Sequence, residues 1–189
     1  MLLLVAKSEI SLPDHPRVGT LVTPDNGATV SGLRPWAMDN SAFSGFDEDR
    51  FLRMVKRLSG TPGCLFLTVP DVVADHEATL DRWLYWSPRL RPYGFPLAFV
   101  GQDGCETVPP VADVLFIGGS TEWKLSAHAQ RLIRGFDGWV HVGRVNSNRR
   151  LRLVKSYGAD SVDGSGMAMF TETKLPGYLD ASEFEQLSL

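Results

Sequence analysis

Polar side chains that can do chemistry recur in this chain where short apolar runs stop. Three of them are carboxylates, and the others offer an amide, a guanidinium or open backbone N–H groups to a flat ligand. These residues are Asp39, Asp71, Gln102, Gly118, Gly119, Arg144, Asn146 and Asp163. Carboxylates around one pocket can divide the roles of nucleophile, general base and ligand holder, because repulsion and burial push their pKa values apart. Taken alone, each residue also fits an ordinary cap or turn.

The apolar runs before these residues are spaced like the strands of an α/β protein. Strands are predicted at 2–6, 18–23, 36–38, 64–69, 96–100, 114–117, 139–142 and 161–162. Helices are predicted at 46–58, after Asp75, at 124–134 and at 149–157, and no long helix follows Gln102. Alternating strands and helices indicate parallel pairing, and the carboxyl ends of parallel strands lie on one face. We therefore expect the polar residues to share one ligand-binding face.

The predicted fold class is α/β, a compact and reduced TIM-like (β/α) barrel with parallel strands. Such barrels typically have roughly 250 residues, so a chain of 189 residues should have missing or stunted helices. An open doubly wound sheet is the alternative architecture.

One domain is predicted for residues 1–189. Residues 1–35 hold N-terminal strands or a hairpin around Asp25, Asn26 and Gly27, and residues 36–166 hold the core and the site. Residues 167–189 form a tail without clear periodicity, in which 180–189 could be a short docking helix or a frayed end.

Composition and charge narrow the function classes. With 19 basic and 22 acidic residues the net charge is −3, so nucleic-acid binding would need a local basic patch or a partner. Cys64 and Cys105 stand far apart in sequence, which predicts neither a zinc knuckle nor a disulfide framework and fits a reducing compartment. No apolar run approaches the roughly 18 residues of a membrane span. A cytoplasmic protein without membrane contact is expected.

Several segments resemble, in the same order, those of the queuine/tRNA-guanine transglycosylase superfamily. The family's Asp-Ser-Gly-Gly-Phe, base-binding Asp, Val-Gln-Gly-Gly and Gly-Gly segments and its nucleophile-bearing strand–helix–strand have counterparts here. The counterparts are Met38–Phe43, Val69–Asp71, Val100–Gly104, Phe116–Ser120, and His141–Val145 with Gly158–Gly164. Nothing here matches the family's zinc-binding cysteines or its longer basic C-terminal region. The chain is therefore most similar to the phage and bacterial branch that places deazapurines in DNA (DpdA-like), and a phage member would work in the host cytoplasm.

The resemblance implies a pentosyltransferase that exchanges guanine for a 7-deazaguanine base in nucleic acid through a covalent intermediate. Asp163 would be the nucleophile that attacks the anomeric carbon, and Asp39 the base that deprotonates the incoming heterocycle. The residues expected to bind substrate are Asp71, Gln102, Gly118, Gly119, Phe43, Arg144 and Asn146. No cofactor or metal is required. The expected partners are a 7-deazaguanine-type base and DNA, more than tRNA, and a helper protein subunit could contribute.

A basic cluster beside the proposed site is the best candidate for phosphate contacts. It consists of Arg149, Arg150 and Arg152, with Arg144 and Lys155 nearby. A solvated helix face is the equally open interpretation of this cluster.

Two other functions remain open from the residues alone. A phosphate-binding barrel lyase or isomerase could use Gly118, Gly119 and Ser120 as a phosphate cradle, but no strand ends in the lysine that a Schiff-base aldolase needs. A non-catalytic base-binding or partner subunit is the third possibility, and it is favoured by the small size of the chain.

Overall fold

A closed barrel of eight parallel strands forms the centre of the protein, as seen in a computed structural model that describes residues 1–183. Each strand pairs with the next in sequence, and the last pairs with the first. The strands are β1 (Leu2–Val5), β2 (Val18–Val22), β3 (Trp36–Met38), β4 (Cys64–Thr68), β5 (Leu97–Gly101), β6 (Val114–Ile117), β7 (Trp139–Val142) and β8 (Ser161–Asp163). The TIM-like barrel predicted from the sequence is confirmed, and the alternative of an open sheet is wrong.

Strand residues alternate between the barrel interior and the helix layer, as the pleat of a strand requires. One apolar cluster, which includes Leu4, Phe66 and Phe116, fills the barrel. Four site residues occupy the next inward-facing position of their strands, toward the carboxyl end of the barrel. Asp39 lies two positions after Ala37 in β3, Gln102 two after Val100 in β5, Gly118 two after Phe116 in β6 and Asp163 two after Ser161 in β8. The alternation that packs the barrel therefore also aims the polar groups at its carboxyl end.

Helices cover the outside of the barrel unevenly. They are α1 (Glu48–Leu58), α2 (His76–Leu90), α3 (Thr121–Lys124), α4 (Ala127–Gly135), α5 (Asn148–Tyr157), α6 (Ser165–Met169) and α7 (Thr171–Glu183), with 3₁₀ turns at Glu9–Ser11 and Arg91–Tyr93. Asp75 caps α2 through a hydrogen bond from the Ala78 N–H, and Gly158 ends α5 in the left-handed conformation, both as predicted. No α-helix follows β1, β2 or β5 directly, which accounts for the short chain.

Two sequence predictions near the loops are wrong. Residues 18–30 form no hairpin, because β2 pairs in parallel with β1 and β3. Asn26 instead shapes the turn after β2, since its Oδ1 accepts the N–H groups of Thr23 and Ala28. The helix predicted at 124–134 begins later, because the Ser126 side chain caps α4 and that helix starts at Ala127, whereas Lys124 ends the separate helix α3.

The tail contributes a helix to the barrel wall. Helix α7 buries Leu175, Tyr178 and Ala181 and packs against α5. The predicted docking helix at 180–189 is thus the end of α7 as far as Glu183, and residues 184–189 lie outside the described part. Within residues 1–183, no helix has both the length and the apolar character needed to cross a bilayer.

Candidate active site

A pocket of about 490 Å³ opens at the carboxyl ends of the strands. The residues that the sequence predicted for catalysis and for substrate binding all contribute to its walls: Asp39, Phe43, Asp71, Gln102, Gly118, Gly119, Arg144, Asn146 and Asp163. A pocket at this end of a (β/α) barrel is where ligands bind in such folds. Placement alone does not assign the chemical role of each residue, which depends on the contacts described next.

Asp71 lies at the pocket wall in a network of two amides. The Asn40 Nδ2 donates to Asp71 Oδ1 at 2.7 Å and the Gln102 Nε2 donates to Asp71 Oδ2 at 2.5 Å. Burial raises the pKa of Asp71, and the two amide donors oppose that rise. Because the Gln102 Oε1 accepts the N–H of Ala74 at 2.8 Å, its amide can point only one way. Asn40, which the sequence analysis did not name as a site residue, therefore belongs to the site.

A second buried polar group lies beside this network. Thr68 lines the pocket, and its hydroxyl oxygen has no hydrogen-bond partner within residues 1–183. Buried hydroxyls are normally paired, so this oxygen is available to a ligand or to water in the pocket.

Asp39 has a strongly perturbed carboxyl group in the pocket. Burial raises its pKa to about 7, and the negative charges of Asp163 and Asp71 add to the rise. The N–H of Ser41 donates to Asp39 Oδ1 at 3.1 Å and lowers the pKa only in part. A carboxyl group that titrates near neutral pH can both give and take a proton under physiological conditions.

Asp163 is held by a donor on each oxygen. The His141 Nε2 lies 3.0 Å from Asp163 Oδ2, and the backbone N–H of Arg144 donates to Asp163 Oδ1 at 3.1 Å. Arg144 adopts a left-handed conformation with φ 57°, which turns its N–H toward the carboxylate. Strained backbone of this kind is concentrated at functional sites. These contacts fix the orientation of the carboxyl group, which lines the pocket.

The Arg144 side chain crosses the mouth of the pocket. Its Nη2 donates to the Gly119 carbonyl oxygen at 2.8 Å, and its guanidinium lies 4.0 Å from the centre of the Phe43 ring. Phe43 is 67% exposed, so the ring stands at the rim. One face of the ring is already covered by the guanidinium. A planar base must use the other face or displace Arg144.

Gly118 and Gly119 are required where they stand. A Cβ on Gly118 would lie 2.7 Å from Val100 Cγ1 and 2.8 Å from Gln102 Nε2, and Gly119 has φ +72°. The loop after them is already engaged, because Ser120 donates its N–H and its hydroxyl to the Asp103 carboxylate at 2.7 and 2.6 Å. Asp103 thus occupies the donors that a phosphate cradle would need.

Lys124 is a site residue that the sequence analysis missed. It lies on α3 and lines the pocket, although only 4% of it is exposed. Its Nζ donates to the Gly143 carbonyl oxygen at 2.8 Å. Burial lowers its pKa to about 8, the Arg144 charge lowers it further and the Asp163 charge opposes the change. The sequence signal that could have identified Lys124 is its position four residues after Ser120, close to the Gly-Gly-Ser loop.

The predicted arginine cluster is divided by helix geometry. Arg150 lines the pocket, whereas the exposed Arg149 and Arg152 lie outside its walls. At 100° per residue, positions 149 and 152 share one face of α5 and position 150 lies on another. The expectation that all three act together at the site is not supported by their positions.

A metal centre has no visible basis in the described part of the chain, since residues 1–183 contain no cluster of three or more His, Cys, Asp or Glu side chains able to hold an ion.

Comparisons of the sequence with known protein families and with curated proteins found no match. The function must therefore be argued from the geometry of the pocket.

Proposed function

We propose that the protein is a pentosyltransferase that exchanges guanine for a 7-deazaguanine base in nucleic acid, with DNA rather than tRNA as the polymer, through a covalent intermediate on Asp163. The observation that carries this proposal is a pair of carboxyl groups with different environments in one pocket. Asp163 accepts a hydrogen bond on each oxygen, and Asp39 titrates at about 7. Two carboxyl groups in such different environments can take separate roles, one as the nucleophile and the other as the general acid and base.

In the first half-reaction a carboxylate oxygen of Asp163 forms a bond to the anomeric carbon, and the bond from that carbon to guanine breaks. The departing base takes the bonding electron pair and needs a proton, which Asp39 supplies from its acid form. In the second half-reaction Asp39, now ionised, removes the ring N–H proton of the incoming 7-deazaguanine. That nitrogen then displaces Asp163. A pKa of about 7 lets one group serve both steps.

The network around Asp71 supplies the groups that bind the base. Asp71 has acceptor capacity beyond its two amide donors, and the unpaired Thr68 hydroxyl lies in the same pocket. Only glycine at position 118 leaves the space that the Gln102 amide occupies when it donates to Asp71. These groups favour a ligand with a polar edge and a flat body, as guanine has.

DNA contact is supported by Arg150 in the pocket wall rather than by a broad basic surface. Arg150 lines the pocket and the net charge of the chain is −3. A single phosphate contact gives weak, salt-sensitive affinity. A helper subunit that supplies further nucleic-acid contacts is therefore part of the proposal.

Incorporation of radiolabelled guanine into DNA tests the proposal. The wild-type protein should exchange base, Asp163→Asn should not, and Asp39→Asn should turn over about 10²–10⁴-fold more slowly because acid–base help is lost. Asp25→Asn is the matched control, since it changes a carboxylate at the exposed rim of the same pocket.

Two results would count against the proposal. Exchange at the wild-type rate by Asp163→Asn would refute the assignment of the nucleophile. If the wild-type protein exchanges no base, alone or with cell extract, the transferase proposal fails. Base binding without exchange would then favour the non-catalytic subunit.

Lys124 favours a second candidate, a carbonyl lyase that works through a Schiff base. A buried amine with a pKa of about 8 is the kind of group that forms an imine with a carbonyl carbon. The occupied donors of Ser120 count against the phosphate cradle of this candidate. Cyanoborohydride with glyceraldehyde 3-phosphate should label Lys124 if the lyase is correct and leave it unmodified if it is not.

A further inference from the structure

His141 lies inside the barrel, directly beneath the pocket, and is fully buried. Its ring centre is 5.1 Å from that of Phe66 and 4.6 Å from that of Phe116. We propose that Trp139, Ser161 and His141 form a directional chain of hydrogen bonds that holds Asp163 as an acceptor, so that His141 is a positioning residue for the nucleophile. The catalytic consequence of this inference rests on the proposed function, whereas the order of the hydrogen bonds does not.

The direction of the chain follows from which atoms can donate. The indole Nε1 of Trp139 can only donate, and it donates to Ser161 Oγ at 2.8 Å. Within residues 1–183 the Ser161 hydroxyl has one further partner, the His141 Nδ1 at 2.9 Å. Because Oγ already accepts from the indole, its own hydrogen is satisfied by pointing to Nδ1. His141 Nδ1 is then an acceptor, and the ring hydrogen is on Nε2.

The hydrogen on Nε2 faces the nucleophile. Nε2 lies 3.0 Å from Asp163 Oδ2, so the imidazole donates to that oxygen. The backbone N–H of Arg144 donates to the other oxygen. Two donors on different oxygens oppose rotation of the carboxyl group.

Strand register explains why these residues meet. His141 of β7 pairs with Ser161 of β8, and residues at paired positions of neighbouring strands point to the same side. Trp139 and Asp163 lie two positions away from them along the same strands, and so also face inward. A one-residue change of register would turn His141 into the helix layer and break the chain.

The two flanking phenyl rings limit the alternatives for the imidazole. Phe66 and Phe116 offer no hydrogen-bonding atoms, so Ser161 and Asp163 are the polar groups available to the ring. A buried polar group without a partner costs about 1–3 kcal/mol, which opposes rotation of the ring away from both partners. The role assigned to His141 is therefore to orient Asp163.

Nitrogen-15 NMR of the histidine rings tests the order of the hydrogen bonds without any assay of activity. His141→Gln identifies the His141 signals by their disappearance. The inference predicts that the wild-type protein at neutral pH has its hydrogen on Nε2 and none on Nδ1. A hydrogen on Nδ1, or on both nitrogens, would overturn it.

Kinetics of covalent capture test the consequence for Asp163. Ser161→Ala removes the donor to Nδ1 and should slow formation of the covalent DNA complex by about 10²-fold, the loss typical of a misplaced reacting group. Guanine affinity should stay at the wild-type value, because the base-binding groups are unchanged. Ser161→Cys keeps a weak donor and should lie between the two. The control is His128→Gln, which replaces a histidine whose Nε2 contacts the Cys105 carbonyl oxygen.

The outcomes separate this inference from the proposed function. If the wild-type protein exchanges guanine and Ser161→Ala captures DNA at the same rate, the positioning role is wrong and the transferase stands. If the wild-type protein neither exchanges guanine nor captures DNA, the transferase is wrong, and the NMR result alone decides the order of the hydrogen bonds.

Discussion

Replacing Asp39 with asparagine should make the protein more stable, and the gain should grow as the pH rises. The carboxyl group of Asp39 has an ordinary pKa of 3.8 and a native pKa of about 7, raised by burial and by the charges of Asp163 and Asp71. Between these two values the native state keeps a proton that the unfolded chain loses. The free energy of unfolding of the wild-type protein therefore falls as pH rises through this window.

The size of the effect follows from the two pKa values. Each tenfold difference in proton affinity corresponds to about 1.4 kcal/mol, so ionising Asp39 costs the native state at most roughly 4 kcal/mol above pH 7. Asparagine resembles the neutral carboxyl group in shape and carries no charge, so the variant avoids this loss. The difference in unfolding free energy between variant and wild type should widen by roughly 2–3 kcal/mol from pH 5 to pH 8.

Urea unfolding at pH 5 and pH 8 measures this difference directly. Asp25→Asn serves as the control, because removing a solvated charge at the exposed rim of the pocket changes stability little. A stability difference between Asp39→Asn and the wild-type protein that is the same at both pH values would refute the reasoning. So would a loss of stability in the variant at pH 8.

Three further substitutions probe the pocket. Arg150→Ala should reduce the dependence of DNA affinity on salt by about one unit of logarithmic slope, and Arg149→Ala, which lies outside the pocket, should not. In thermal unfolding Gly118→Ala should destabilise the protein by about 1–3 kcal/mol, because its Cβ would overlap neighbouring side chains. Gly135→Ala, which has open space, should be neutral or stabilising by about 0.5–1 kcal/mol in the same experiment. Asn40→Ala should cost about 1–3 kcal/mol in urea unfolding, because it leaves a buried carboxylate without one of its donors.

The fold and the polar strand-end residues of the pocket could be predicted because most strands end with a signal in their own sequence. A short apolar run followed by Asp39, Gln102 or Asp163 is local information, and the rule that parallel strand ends share a face supplies the rest. The turn around Asn26 shows the limit of local signals. Its residues suit a hairpin, but the pairing of β2 with its neighbours decided against one.

The residues that were missed depend on contacts between distant parts of the chain. Lys124 reaches the pocket because α3 is a separate short helix, and the sequence predicted one helix through that break. The inward orientation of His141 was predictable from the alternation of side chains along a strand, since it lies two positions before Gly143 on the inward side of β7. Its partner Ser161 is found only once the strand register is known. The division of the arginine cluster was predictable from helical geometry alone.

Location of a covalent bond on Asp163 tests the central proposal most directly. Guanine-containing DNA is incubated with Asp39→Asn, in which water must protonate the departing guanine and no side chain deprotonates an incoming base, so the covalent complex should form slowly and then accumulate. The denatured complex is digested and sequenced by mass spectrometry. The account predicts a deoxyribose adduct on the peptide that contains Asp163 and none when Asp163→Asn is combined with that change. An adduct on another residue, or a denaturation-resistant complex that persists in the double variant, would contradict it.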